Sequence, residues 1–242
     1  MFLRMPQPFH RQARTFALIG LACAAATAAQ AQVSGSAGLV SDYLYRGISL
    51  SSGKPAARLS LDVDGAHGWF AGGQVVSGQL ASQSHRNAQW LGYGGYAQRL
   101  PSGMSWEAGM SAYAFHGAPG WNFREAFVGL AFDNYSARLH YSPDYLGFGD
   151  RTVYAELNGG AALPAGWRFF WRGGFLAALN HAINSRAEAR IGVATAVQGW
   201  QLQLSLDAAR LRGQGGSSGS YEATPASSKV RSKTVLGLAR SF

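Results

Sequence analysis

Lys229-Val230-Arg231-Ser232-Lys233-Thr234-Val235-Leu236-Gly237-Leu238-Ala239-Arg240-Ser241-Phe242 is the final stretch of the chain, and its side chains alternate with a period of two. In an extended strand Val230, Thr234, Leu236, Leu238 and Phe242 share one face, while Arg231, Lys233, Val235, Gly237, Ala239 and Ser241 share the other. One face suits lipid and the other suits water. A strand of this kind ending on an aromatic would set that ring at a membrane interface, on the inner side where barrel termini lie.

The opposite end is consistent with export. Arg4, Arg11 and Arg14 form a positive region without acids, Phe16 to Ala28 form a short apolar run, and Ala29-Gln30-Ala31 supplies a small-x-small cleavage pattern. Residues 1-31 are therefore expected to be a cleaved signal peptide and residues 32-242 the mature barrel. The run is too short and alanine-rich for a membrane span, which needs about 20 apolar residues. Cys23 lies inside that run, and Gly20 stands where a lipoprotein motif usually has leucine, so Cys23 reads as a signal-peptide residue. Cleavage would remove three of the 21 basic residues, none of the 12 acidic ones and the only cysteine, leaving a net charge of plus six. A secreted chain without disulfides must hold itself together by hydrogen bonding and burial, which a closed barrel provides.

Composition narrows the class. Charged residues make up 14% and aromatics 12%, with 32 glycines, against about 25% charged in a typical soluble domain. No long apolar stretch follows the signal segment, so helical spans are excluded. Strands that are apolar at every second residue fit, as would a secreted soluble sandwich. Basic residues are scattered among the strands with no basic run or helix, so nucleic acid is not an expected partner.

Twelve alternating segments are separated by turn chemistry, at about 34-47, 55-64, 68-79, 87-100, 103-116, 121-133, 135-145, 151-163, 166-180, 185-198, 200-211 and 229-242. His181 to Ala194 also admits a helical reading, and the glycines from Gly92 to Gly95 weaken a strand unless the wall bends there. The even connections, Gly65-Ala66-His67-Gly68, Leu100-Pro101-Ser102-Gly103, Asp133-Asn134, Leu163-Pro164-Ala165-Gly166 and Gln198-Gly199, are all tight turns. Most odd ones are longer, including Ile48 to Lys54, Leu80 to Arg86, Pro143 to Asp150 and the Gly/Ser-rich Arg212 to Ser228. Short periplasmic turns against long outer loops are expected of an all-β, closed, antiparallel up-and-down outer-membrane barrel.

Side-chain parity tests this independently. Trp200, Leu202, Leu204 and Leu206 oppose Gln201, Gln203, Ser205 and Asp207; Tyr135, Ala137, Leu139 and Tyr141 oppose Ser136, Arg138, His140 and Ser142. In a soluble sandwich the apolar face would be the core, so parity alone does not locate lipid. Trp69, Trp106, Trp167 and Trp200 each follow a predicted periplasmic turn, where an aromatic girdle would meet headgroups.

The string Ser41-Asp42-Tyr43-Leu44-Tyr45-Arg46-Gly47-Ile48-Ser49 resembles the opening signature of the Gcw_chp, or TorF-family, porins of proteobacteria. Gly68-Trp69-Phe70-Ala71-Gly72, Tyr154-Ala155-Glu156-Leu157-Asn158, Leu163-Pro164-Ala165-Gly166 and the strand ending at Phe242 are similar to further parts of that family's pattern. The resemblance implies an outer-membrane barrel of Gram-negative bacteria with a pore role, without supplying a substrate. Outer-membrane lipid, small solutes or ions, and the barrel-assembly machinery acting on the strand ending at Phe242 are the expected partners.

Taking each polar row as inward, the lumen-lining candidates are Asp42, Arg46, Arg58, Asp62, Glu107, Glu125, Arg138, His140, Glu156, Arg168, Arg172, Glu188, Arg190, Arg231 and Lys233. With Arg186, Asp64 and Asp207 they make nine basic against eight acidic groups. Asp42 and Arg46, four residues apart on one strand and about 13 Å apart along it, cannot pair with each other and are expected to pair with other strands across the lumen. Trp90, Tyr96, Tyr113, Phe123, Phe127, Tyr154 and Phe170 are expected to point inward and narrow it. Twelve strands fall between a filled interior and a wide aqueous channel. The expectation is a narrow or partly plugged pore of small charge preference; a plugged structural or partner-binding barrel is the alternative. His140 shares its face with Ser136 and Ser142 but no acyl-transfer motif accompanies them, so no catalytic residue is assigned and an enzyme is not expected. His67, His85, His116, His140 and His181 lack paired spacing, and neither a metal site nor a cofactor is expected.

Overall fold

The computed structural model describes residues 32–78, 87–180, 183–212 and 230–242. The expected signal segment 1–31, Cys23 within it, and residues 79–86, 181–182 and 213–229, which hold His85, His181 and most of two expected outer loops, lie outside the described residues.

Fourteen strands are present among the described residues: β1 (Gln32–Val40), β2 (Leu44–Tyr45), β3 (Ile48–Ser49), β4 (Ala56–Asp64), β5 (Trp69–Gly78), β6 (Asn87–Arg99), β7 (Ser105–His116), β8 (Phe123–Phe132), β9 (Tyr135–Ser142), β10 (Thr152–Ala162), β11 (Arg168–Ala178), β12 (Ser185–Val197), β13 (Trp200–Arg212) and β14 (Arg231–Ser241). Twelve of them close an antiparallel barrel, each paired with its sequence neighbours and β1 pairing with both β4 and β14; β2 and β3 pair only with each other. Closure leaves the barrel wall without a strand edge. At the seam Ser36 faces Ser241 and Val40 faces Gly237. Beyond the ladder, Gly35 and Phe242 exchange backbone N–H···O bonds of 2.9 and 3.0 Å. The Phe242 ring lies over Gly35, where a Cβ would come within 2.5 Å of it.

The two ends of the barrel differ. At one end the connections are tight, and the left-handed backbone they need is carried by His67, Asp133, Ala165 and Gln198 together with Gly68, Gly103, Gly166 and Gly199. The other end carries the long connections. β6 runs unbroken through Gly92 to Gly95 and β12 is a strand, which resolves the two ambiguous segments.

On the outside Leu59, Leu61, Val128, Leu130, Leu139, Leu157, Leu202, Leu204 and Leu206 all stand exposed. An apolar belt on the wall of a closed barrel is what lipid requires. Near the tight-turn end it is bordered by aromatics: Trp69 packs edge-on against Tyr96, Tyr96 against Trp106, and Tyr135 against Trp171, with Trp167, Trp200 and Phe242 also exposed.

Two expectations need correction. Trp90 and Tyr96 do not narrow the interior: Tyr96 stands opposite Trp69 across the β5–β6 ladder and Trp90 is 55% exposed on the outer wall. Glycines occupy so many positions of β6 that its parity carries little polar contrast. The first strand ends at Val40 rather than near residue 47, so Asp42 and Arg46 do not share a strand of the wall. They belong to a separate hairpin.

Candidate pore and its plug

Residues 41–55 connect β1 to β4 and fold back into the barrel. Tyr45 pairs with Ile48 and Leu44 with Ser49, leaving Arg46 and Gly47 as a two-residue turn with φ of 46° and 77°. Both central residues of such a turn take the left-handed conformation, which glycine accepts freely and arginine adopts at a cost. The tip packs against β13, two strands from β1 around the wall: a Cβ on Gly47 would come within 2.7 Å of the Ala209 Cβ.

The base of the hairpin is tied through Asp42. Its carboxylate accepts hydrogen bonds from Ser49 Oγ at 2.5 Å and Ser51 Oγ at 2.9 Å and pairs with Lys233 Nζ of β14 at 2.5 Å. Ser51 Oγ in turn accepts the Tyr43 N–H at 2.9 Å. The tip is held by Arg46. Its guanidinium forks onto Glu125 of β8 with bonds of 2.6 and 2.7 Å, and both side chains are almost completely buried. The same group lies 4.1 Å from the Tyr154 ring centre and within 5.5 Å of those of Tyr45 and Tyr145. Burial opposes the Arg46 charge, but Tyr45, Glu125 and Tyr145 more than offset it and raise the pKa of Arg46. A charge this deep is tolerated only when paired and bonded in this way.

Around the hairpin, the long-loop half of the interior is a packed core. Tyr113 stacks on Phe123 at 4.3 Å, Phe123 meets Tyr145 at 5.0 Å and Tyr45 meets Tyr113 at 5.6 Å. Leu50, Leu146, Leu176 and Ile183 join the same cluster. Asp150 fixes the loops above it by accepting the Asn180 and Ile183 N–H groups at 2.8 and 3.0 Å. Arg186 is 2% exposed and donates to the Tyr145 hydroxyl at 3.0 Å.

Below the hairpin the interior opens. A cavity of about 720 Å³ runs from Asp42, Tyr43 and Leu44 at its roof to the Asp133–Asn134 turn at its mouth, with Arg58, Arg168, Arg172 and Arg190 on its wall. The lumen is therefore a vestibule open at the tight-turn end and stoppered at the other.

The candidate residues fall into three layers. Asp42, Arg46, Glu125, His140, Glu188 and Lys233 surround the hairpin, with Glu188 accepting the Tyr154 hydroxyl at 2.5 Å. Glu107 and Arg138 bridge β7 and β9 through bonds of 2.6 and 2.8 Å, and Asp62 accepts from Tyr93. Arg58, Arg168, Arg172 and Arg190 face the vestibule, where Arg190 pairs with Asp207. Glu156 and Arg231 alternate onto the same side of their strands. His140 Nδ1 lies 3.4 Å from Glu125 Oε2, and Ser142 Oγ donates to the Arg124 carbonyl instead of facing the imidazole. No group of three or more potential metal ligands occurs among the described residues. Sequence reasoning missed the hairpin, although Arg46-Gly47 between Leu44-Tyr45 and Ile48-Ser49 was a turn signal.

The fold is that of outer-membrane porins. The KdgM porin superposes with a TM-score of 0.52 at 11% identity, covering 87% of this chain and 98% of the porin. The NanC porin gives 0.51 at 14% identity, covering 86% and 99%. A family model described as "Bacterial protein of unknown function (Gcw_chp)" matches residues 24–206, and the chain belongs to that family. No curated protein sequence matches it.

Proposed function

We propose that this protein is an outer-membrane porin of Gram-negative bacteria, exported by residues 1–31, that passes small polar solutes or ions through a narrow lumen. The observation that supports passage is the half-open vestibule with its arginine wall. A barrel meant only as an anchor gains nothing from a wet, charged cavity. In this reading the apolar belt contacts lipid, the tight turns face the periplasm, and the strand ending at Phe242 is the segment recognised by the assembly machinery. The hairpin is then a stopper, and passage requires its displacement.

The packed half of the lumen favours a second reading, a plugged barrel that does not transport. Liposome swelling separates the two. Proteoliposomes of the intact protein should swell slowly in small sugars, and a variant lacking residues 44–49 should swell faster by an order of magnitude or so. If neither swells with any small solute, the structural reading stands.

A further inference from the structure

The near balance of nine basic and eight acidic groups conceals an uneven distribution. Toward β7 and β8 the acids are engaged: Glu107 by Arg138, Glu125 by Arg46. Asp62 of β4 accepts from Tyr93. In the vestibule the position is reversed. Among the described residues Arg58, Arg168 and Arg172 have no carboxylate within ion-pair range, although all three line the same cavity. Two acids touch that cavity and neither relieves them, because Asp42 is taken by Lys233, Ser49 and Ser51, and Asp133 stands in the turn at the mouth. Arg172 is also oriented: its Nε donates to Asn158 Oδ1 at 3.0 Å, which leaves the forked end of the guanidinium for another partner. At the roof, burial pushes the Tyr43 hydroxyl up while the positive charges of Arg58, Arg172 and Arg190 act on it in the opposite sense, so their fields meet there.

Arginine matches carboxylate and phosphate oxygens in a planar, two-bond geometry, and unpaired guanidinium groups sharing one cavity lower their mutual repulsion by binding an anion. β4, which carries Arg58, and β11, which carries Arg168 and Arg172, are separated around the barrel by β1, β14, β13 and β12, so the positive groups come from different walls. An anion with one charged group engages one wall, whereas one with several can bridge them. We propose that the vestibule is a binding site for a small solute carrying two or more carboxylate or phosphate groups, held by Arg58, Arg168 and Arg172. This rests on the reading of the barrel as a solute passage, and it assigns that passage a substrate class.

Calorimetric titration of the full folded barrel in a neutral detergent tests the site without requiring transport. Citrate should bind, with an affinity that falls as salt rises, and sucrose should not. Inorganic phosphate, with a single group, should bind at least about tenfold more weakly than citrate, and the double variant R58Q/R172Q should weaken citrate by about tenfold or more. Heat-modifiable gel mobility identifies folded variant, and R58K/R172K, which keeps charge but loses the fork, should fall between. Absence of citrate binding, an unchanged affinity in R58Q/R172Q, or equal affinities for phosphate and citrate would overturn the proposal. A barrel that conducts without binding citrate refutes this inference and leaves the pore standing; one that binds citrate without conducting keeps the site and refutes passage.

Discussion

Arg46 and Glu125 sit 79 residues apart in sequence and share a bidentate bond inside the barrel. Replacing a buried ion pair by apolar residues is often nearly neutral, but removing one partner strands a charge and costs about 3–5 kcal/mol. Arg46→Ala should therefore release the hairpin without unfolding the wall, since the backbone pairing that closes the twelve strands does not include the hairpin. Single-channel recordings should show larger and more frequent openings than for the intact protein, with Arg46→Lys intermediate because lysine cannot fork onto the carboxylate. Channel records indistinguishable from the intact protein would mean that this pair does not hold the stopper. Parity in the sequence put Arg46 and Glu125 on inward faces, yet it could not pair them. Their meeting depends on the loop turning inward, and no local pattern reports that.

Alternation made the elements legible, and it failed where the chain stops alternating for the sake of the wall. From Ala56 onward the expected strands and the observed ones differ by at most about three residues at an end, because each is a two-sided strand bounded by glycine, proline or asparagine. Tyr43 and Tyr45 continue the same beat past Val40, so the real end of the wall strand at Val40 and the hairpin turn at Arg46-Gly47 were both absorbed into it. The two faces of β13 give a direct test. Leu204→Arg, on the exposed apolar row, should lower the stability of the barrel in lipid vesicles by about 2–4 kcal/mol if the site lies near the bilayer midplane, while Gln203→Arg on the inward row should change it little. Denaturant titration in vesicles checks this, and equal costs would mean the apolar row does not face lipid. Deleting Phe242 removes its two backbone bonds to Gly35 and the ring that covers it. The truncated chain should show a smaller heat-modifiable fraction after refolding, and an unchanged fraction would show that the seam does not need its last residue.

At the level of the whole molecule, parity and the alternation of short and long connections were enough for a closed barrel of twelve strands, because closure is a property of every strand at once. The division of the lumen was not legible. Which charges neutralise one another depends on which strands face each other across the interior, and a list of inward residues lacks that information. The hairpin has a further consequence for timing. Its contacts come from Glu125 on β8, Ala209 on β13 and Lys233 on β14, the last strand in the chain. Those three surfaces converge only once the sheet has curled and its two ends have met, so the stopper registers the moment of closure. Cleavage by trypsin after Arg46, which is 5% exposed in the finished barrel, should persist in every earlier intermediate and cease when the seam forms, turning one peptide bond into a clock for barrel assembly.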